Sequence, residues 1–329
     1  MVLFWVALLA ISISVYLLLD GFDLGVGMLF GFAGDDADRD MMLDTVAPVW
    51  DGNETWLVVA GVILWGAFPL VYATLLSAFY LPVIIMLLGL ILRGVAFEFR
   101  HRAAPKFRWI WDVSFVGGSL AASFMQGVTV GALVQGLKFA DGVYVGGVLG
   151  WLSPFSLLCG IGLCLGYALL GASWLVQKCE SSVRDTARRQ IPGLAIAVLA
   201  FLIVVFAYAL IENLPIMHRW LDRPYLFVFP AVGAMAAVVL ASSILHHNDR
   251  WPFAAVAVIF VAAFGTLALS FWPYMIPFAI TVDEAAAPHA SLAFMFWGEG
   301  LFVFPLMVLY VAIGYRVFRG KVGGTAGHH

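Results

Sequence analysis

Six ionisable residues stand where apolar runs begin or end. Asp20 and Asp23 close the first run in Leu19-Asp20-Gly21-Phe22-Asp23-Leu24-Gly25. Asp51 and Glu54 lie in Pro48-Val49-Trp50-Asp51-Gly52-Asn53-Glu54-Thr55-Trp56, just before another run, and Arg93 and Glu98 lie at the end of a third. Carboxylates three residues apart share a helix face. An ordered set of them could pass protons, with Arg93 as a counter-charge that keeps its own proton. The competing reading is structural: Arg93 and one aspartate neutralise each other and staple three helices, while the outer carboxylates reach the headgroups. Spacing alone leaves both readings open.

The elements that must position these groups follow from composition. Of 329 residues, 63% are apolar and 11% charged, whereas a soluble domain is roughly half apolar and a quarter charged. The apolar residues fall in runs long enough to cross about 30 Å of hydrocarbon, which takes roughly 20 helical residues each. These runs lack the period-two alternation of a membrane barrel, so the fold class is an all-α integral membrane protein. Nine spans are expected, at approximately 3–30, 56–75, 79–97, 112–134, 148–176, 191–213, 225–245, 253–274 and 290–317. The loops are too short for a separate domain, so residues 1–329 read as one polytopic unit with a disordered tail at about 321–329. The first run has no basic lead and no cleavage pattern and reads as a retained span.

Alternate loops differ sharply in Lys and Arg. One set holds Arg39, Arg100, Arg102, Lys106, Arg108, Lys178, Arg184, Arg188, Arg189, Arg250, Arg316, Arg319 and Lys321; the other holds only Lys138, Arg219 and Arg223. The positive-inside rule then predicts an outer N-terminus and a cytoplasmic C-terminus. Counted from the outer ends at about 1.5 Å per residue, Asp20 lies roughly 27 Å deep, Asp23 about 31 Å, Arg93 about 20 to 24 Å and Glu98 about 30 Å. The groups are therefore expected to converge, with Asp51 and Glu54 slightly nearer the cytoplasm.

The remaining candidates are weaker. Glu299 stands roughly 14 Å into the last span from the outer side, with no evident partner. His101, His218, His246, His247, His289, His328 and His329 fall in loops, at span ends or in the tail, so bis-His heme ligation is not expected in this chain. The 11 methionines read as core. Cys159, Cys164 and Cys179 match neither a zinc site nor a disulfide framework and read as buried thiols. No metal site and no catalytic residue is expected, and the net charge of −3, without a basic stripe, argues against nucleic acid as a partner. Gly127 with Gly131, and Gly162 with Gly166, have the small-xxx-small spacing of close helix contacts.

The motif run Asp20-Gly21-Phe22-Asp23-Leu24-Gly25-Val26-Gly27, Ala47-Pro48-Val49-Trp50-Asp51-Gly52-Asn53-Glu54-Thr55-Trp56-Leu57, Ala67-Phe68-Pro69 and Leu92-Arg93-Gly94-Val95-Ala96-Phe97-Glu98-Phe99-Arg100 resembles subunit II of cytochrome bd-type quinol oxidases. Its wording is closest to the cyanide-insensitive branch. The resemblance is dense over the first 100 residues and thins beyond them to hydropathy, Trp272-Pro273-Tyr274-Met275-Ile276-Pro277 and the segment around Tyr315-Arg316.

The resemblance implies nine helices arranged as two four-helix bundles plus one. It implies a heme-free subunit II, paired as a heterodimer with a subunit I that carries two b-type hemes and one d-type or variant heme and the main quinol site. The complex would oxidise quinol and reduce oxygen to water in a bacterial inner membrane, with the N-terminus periplasmic. A bound quinone and a small single-helix subunit are compatible additions. By resemblance, Asp23 and Asp51 belong to a proton-uptake route, and Trp50, Asp51 and Arg93 to assembly and heme retention. Asp20, Glu98 and Glu54 join the route on the depth argument. The alternative from another class is a secondary transporter subunit, whose signs would be inverted repeats and helices broken near the midplane.

Overall fold

A backbone in lipid has no water to bond to, so each apolar run closes its own hydrogen bonds as a helix. The computed structural model describes residues 1–140, 143–212 and 214–322, without the side chains at 181, 217, 218, 221 and 222. In chain order it contains α1 (Val2–Leu29), α2 (Asp36–Val46), α3 (Trp50–Ala67), α4 (Pro69–Arg100), α5 (Arg108–Gln135), α6 (Pro154–Lys178) and α7 (Ser181–Ile211). These are followed by α8 (Pro215–Asp222), α9 (Val228–Leu245), α10 (Pro252–Phe271), the one-turn α11 (Val282–Ala285), α12 (His289–Met295) and α13 (Phe304–Val317). A π-helical stretch, Phe296–Val303, joins α12 to α13 into one long unit. Two short antiparallel hairpins, Phe139–Ala140 with Val143–Tyr144 and Tyr274–Ile276 with Ile280–Thr281, lie in the loops. Among the described residues, eight helices are long and apolar enough to cross a membrane; α2, α3, α8 and α11 are not among them.

The second and third expected spans divide elsewhere than the hydropathy suggests. The break expected between 75 and 79 lies instead at Phe68, whose φ of −135° and ψ of 58° end α3, and Pro69 opens α4. Proline has no N–H to give and pushes the residue before it out of the helical region, while its fixed φ suits a helix start. At 79 the chain only kinks: Phe79 is non-helical and Pro82 follows inside α4. Helix α3 begins six residues earlier than expected, at Trp50, so Asp51 and Glu54 belong to its first turns and not to a preceding loop.

The arginine-rich loops share one end of the molecule. Arg100 is buried and bonds to Asp112 at 2.5 Å, to Asp40, and at 3.4 Å to Asp36, which ties α4 to α5 and to α2. Ser182 donates to Asp38 at 2.5 Å, the Nε of Arg188 reaches Asp249 at 3.1 Å, and Lys178 Nζ donates to the carbonyl of Phe318 at 2.6 Å. These bonds bring the loops after α1, α6 and α9 and the end of α13 together. At the opposite end, Trp5 Nε1 donates to the carbonyl of Leu292 and Ala287 N–H to that of Ala67. The beginning of the expected tail is docked, since Val322 N–H donates to Lys178 O at 2.8 Å. Residues 323–329, with His328 and His329, lie outside the described residues, as do residue 213 and the side chain of His218.

Packing runs through small residues. A Cβ on Gly127 would lie 2.5 Å from Cys159 O, one on Gly131 2.8 Å from Ser156 Cα, and those on Gly162 and Gly166 2.1 Å and 2.9 Å from the rings of Phe201 and Phe260. The four small-residue positions read from the sequence thus all lie at helix contacts. Helix α5 packs on α4, α1 and α6, and α6 packs on α7 and α10.

Cys179, at the junction of α6 and α7, is fully buried, and burial pushes its thiol up to about 12. The thiolate is the reactive form. Maleimide at pH 8 should therefore leave Cys179 unmodified in native membranes and label it after denaturation, as read by mass spectrometry of the tryptic peptide. Rapid labelling of the native protein would show that the tail does not cover this site.

Candidate functional site

Three helices meet at Arg93, and glycines let them approach. A Cβ on Gly118 of α5 would stand 2.4 Å from the carbonyl oxygen of Gly89 and 3.0 Å from the Arg93 nitrogen. The α4 and α5 backbones are therefore in direct contact one turn before Arg93. Helix α1 contributes Asp20 and Asp23 from one face, as their spacing predicts, and α3 contributes Asn53 and Glu54.

The Arg93 side chain is fully buried, with Nη2 2.7 Å from Oδ1 of Asp20 and 2.9 Å from Oε2 of Glu54. Glu54 lies in line with an N–H and accepts it; the Asp20 contact is an ion pair without that alignment. Asp20 is completely enclosed, whereas the Glu54 side chain is 27% exposed and forms the edge of the cluster. Asp23, also buried, accepts from Asn53 Nδ2 at 2.8 Å. Asn53 is held in turn by Tyr315 of α13, whose hydroxyl donates to its Oδ1 at 2.9 Å.

One guanidinium thus stands among three carboxylates in an interior that tolerates charge only when it is paired. Nε and Nη1 of Arg93, Oδ2 of Asp20 and Oδ1 of Asp23 have no hydrogen-bond partner among the described residues. One turn outward from Asp20, Tyr16 accepts from Gln126 Nε2 at 2.7 Å, and Tyr167 donates to Gln126 Oε1 at 2.9 Å. Polar side chains from α1, α3, α4, α5, α6 and α13 therefore lie along one buried zone.

Asp51 is exposed in the first turn of α3, one turn from Glu54 toward the arginine-rich end. The convergence expected for Glu98 does not occur: its side chain is 65% exposed and pairs with Arg102 at 3.7 Å. Five residues along a helix turn a side chain by about 140° relative to Arg93, so depth alone misjudges this residue. Trp50 stacks on Phe97 with centroids 5.3 Å apart and an interplanar angle of 13°, and its ring faces Gly94, the residue after Arg93. It braces α3 against α4 beside the ion pair.

Asn53, Tyr315, Tyr16, Gln126 and Tyr167 are hard to assign from sequence, because an uncharged polar residue in a span needs a partner but its spacing does not say on which helix. Two of them carry a signal: Asn53 lies inside the Trp50-to-Trp56 motif, and Tyr315 in the C-terminal segment that shares the resemblance. The Arg100, Asp112 and Asp40 network is not legible in the sequence, because charges at span ends look solvated. His101, His246 and His289 stand at helix ends, as the sequence has them. Glu299 lies in the π-helical stretch, apart from the Arg93 cluster.

A family model described as cytochrome bd terminal oxidase subunit II matches residues 1–318. The chain is 28% identical to cytochrome bd-I ubiquinol oxidase subunit 2 of Escherichia coli K12, with 97% of this chain and 94% of that protein covered. It is 29% identical to cytochrome bd ubiquinol oxidase subunit 2 of Bacillus subtilis 168, with 97% and 96% covered. It is 28% identical to the probable cytochrome oxidase subunit 2 of Haemophilus influenzae, with 96% and 92% covered. In the solved structure of the bd oxidase from Geobacillus thermodenitrificans, one chain has a similar fold, with a TM-score of 0.72 at 18% identity, covering 95% of this chain and 98% of that one.

Proposed function

The chain belongs to the family of subunit II of cytochrome bd terminal oxidases, and on that premise we propose that it holds subunit I in a heterodimer and conducts protons inward from its arginine-rich end. It is a multi-pass membrane subunit of a terminal quinol oxidase. In this reading it is heme-free, and the hemes of subunit I supply the redox chemistry that reduces oxygen.

The observation that carries the proton role is the imbalance at Arg93: three carboxylates share one guanidinium inside the membrane. A fixed cation offsets one carboxylate, so the others are neutral only when they hold protons, which makes the cluster a place where protons reside. Exposed Asp51, Glu54 at the edge with about a quarter of its side chain exposed, and enclosed Asp20 and Asp23 grade from outside to inside. The polar atoms there that lack protein partners suit bridging waters, which would complete the relay. Glu98 has no part in it. Trp50, Asp51 and Arg93 also serve assembly, bracing α3 against α4.

The same reading takes α3 as the ninth span. Its 18 residues make about 27 Å of helix, close to the hydrocarbon thickness. Nine crossings give the arginine-rich end one side of the membrane, the cytoplasm by the positive-inside rule, and the N-terminus the periplasm. The helices then group as α1, α3, α4 and α5 in one bundle and α6, α7, α9 and α10 in another, with α12 to α13 as the additional helix.

Asp23→Asn and Asp51→Asn, assembled with subunit I and reconstituted in vesicles, should lower quinol oxidation and inward proton uptake by roughly tenfold each while heme spectra stay intact. If both variants assembled normally with unaltered turnover and uptake, the proton route would be lost and only the assembly role would stand.

A further inference from the structure

The unit formed by α12, the π-helical stretch and α13 has two unlike faces. One is packed: Phe4 meets Phe296 at 5.1 Å and the position of Gly300, Met295 fits over Gly66, and Trp56 meets Phe304 at 5.7 Å. The other is bare, with Phe294, Trp297, Phe302 and Leu306 all more than 60% exposed. Between them stands Glu299, half-buried. The stretch is widened because Pro305 cannot donate to the carbonyl of Leu301 and its ring presses on it, so Phe304 N–H bonds back to Glu299 O.

The Glu299 carboxylate makes no ion pair or hydrogen bond among the described residues. Two of the arginines near that end are already engaged: Arg219 donates to the carbonyls of Ser270 and Trp272, at 3.1 Å and 2.9 Å, and Arg223 to that of Trp272. Ten residues into the unit, Glu299 lies about 15 Å from its start, within the hydrocarbon zone. An acidic group at that depth is expensive against acyl chains and persists where another polypeptide completes it. An aliphatic residue would serve a face that met only lipid.

We propose that Glu299 is a docking residue: it receives a basic side chain from a transmembrane helix of subunit I, and the bare Phe294, Trp297 and Phe302 face is the surface that helix covers. Charge complementarity selects this occupant over lipid or a second copy of the chain, because a second copy would bring another Glu299 or an apolar face. The inference rests on membership of the oxidase and is independent of the proton route.

The test uses the complex co-expressed with subunit I, at matched membrane levels of this chain and with Cys179 protection confirming its fold. Glu299→Leu leaves the partner's cation buried and unpaired, and should reduce recovered heme-bearing complex about tenfold or more. Glu299→Gln keeps an acceptor and should stay within about threefold of wild type. A benzophenone amino acid replacing Trp297 should crosslink to a subunit I helix identified by mass spectrometry. Wild-type recovery of Glu299→Leu, or crosslinks to lipid or to a second copy alone, would overturn the proposal while leaving the oxidase assignment intact. Failure of the wild-type chain to co-purify with subunit I would overturn both.

Discussion

Replacing Arg93 by leucine should leave almost no assembled oxidase in the membrane. The side chain is fully enclosed and faces Asp20 at 2.7 Å and Glu54 at 2.9 Å, so its loss strands two acids in low dielectric with Asp23 nearby. Removing one partner of a buried pair typically costs about 3 to 5 kcal/mol, a large fraction of the roughly 5 to 15 kcal/mol that holds a domain folded. Arg93→Lys should recover only part of this. An ammonium is a point charge on a shorter reach and does not reproduce the planar Nη2 that stands against acids from two helices. The informative companion is the triple change Arg93→Leu, Asp20→Asn and Glu54→Gln, which removes the stranded charges together with their counter-charge. It should restore heat stability and recovery of the complex by several-fold over Arg93→Leu alone while remaining deficient in turnover. Measured recovery and heme content separate these outcomes. A stable, fully loaded complex carrying Arg93→Leu alone would show that the acids find another cation, and the account of this site would fail.

The second large effect falls on a residue with no side chain. A Cβ on Gly25 would sit 1.9 Å from the carbonyl oxygen of Tyr167 and 2.9 Å from the nitrogen of Gly171, and one on Gly171 would reach 2.5 Å from the carbonyl carbon of Gly25. Both neighbours are backbone, so nothing can rotate aside, and even Gly25→Ala must pry α1 from α6. The expected loss is about 3 kcal/mol, with lower heat stability in detergent. Displacing Tyr167 from Gln126, 2.9 Å away, and Asp23 from Asn53 should lower turnover as well. Gly61→Ala is the control, because a Cβ there meets nothing within 4 Å. It should be neutral or slightly stabilising, since alanine is the better helix former. Equal stability of the two variants would contradict the close α1–α6 crossing.

Much of the arrangement was legible beforehand. The lipid-facing character, the helical class, the common end of the arginine-rich loops and the meeting of Asp20 with Arg93 followed from hydropathy, charge sorting and depth. The errors were azimuthal or local. Glu98 has suitable depth but points away from Arg93, and Glu54 took the partner position that depth alone assigned only loosely. The break between the second and third runs lies at Phe68-Pro69, where an apolar phenylalanine and proline barely disturb a hydropathy profile although the backbone cannot continue.

What the sequence by itself determined was the solvent of each segment and which groups had to find partners. Transfer from water to lipid is nearly additive over the residues of one run, and an arginine inside it demands an anion wherever the run goes. Which anion, and which amides and phenols join it, was decided only by the tertiary structure. That choice depends on the rotation and crossing of helices distant in the chain, set where Gly25 meets Gly171 and Gly89 meets Gly118 backbone to backbone. Such contacts are a property of pairs, and no single run carries them.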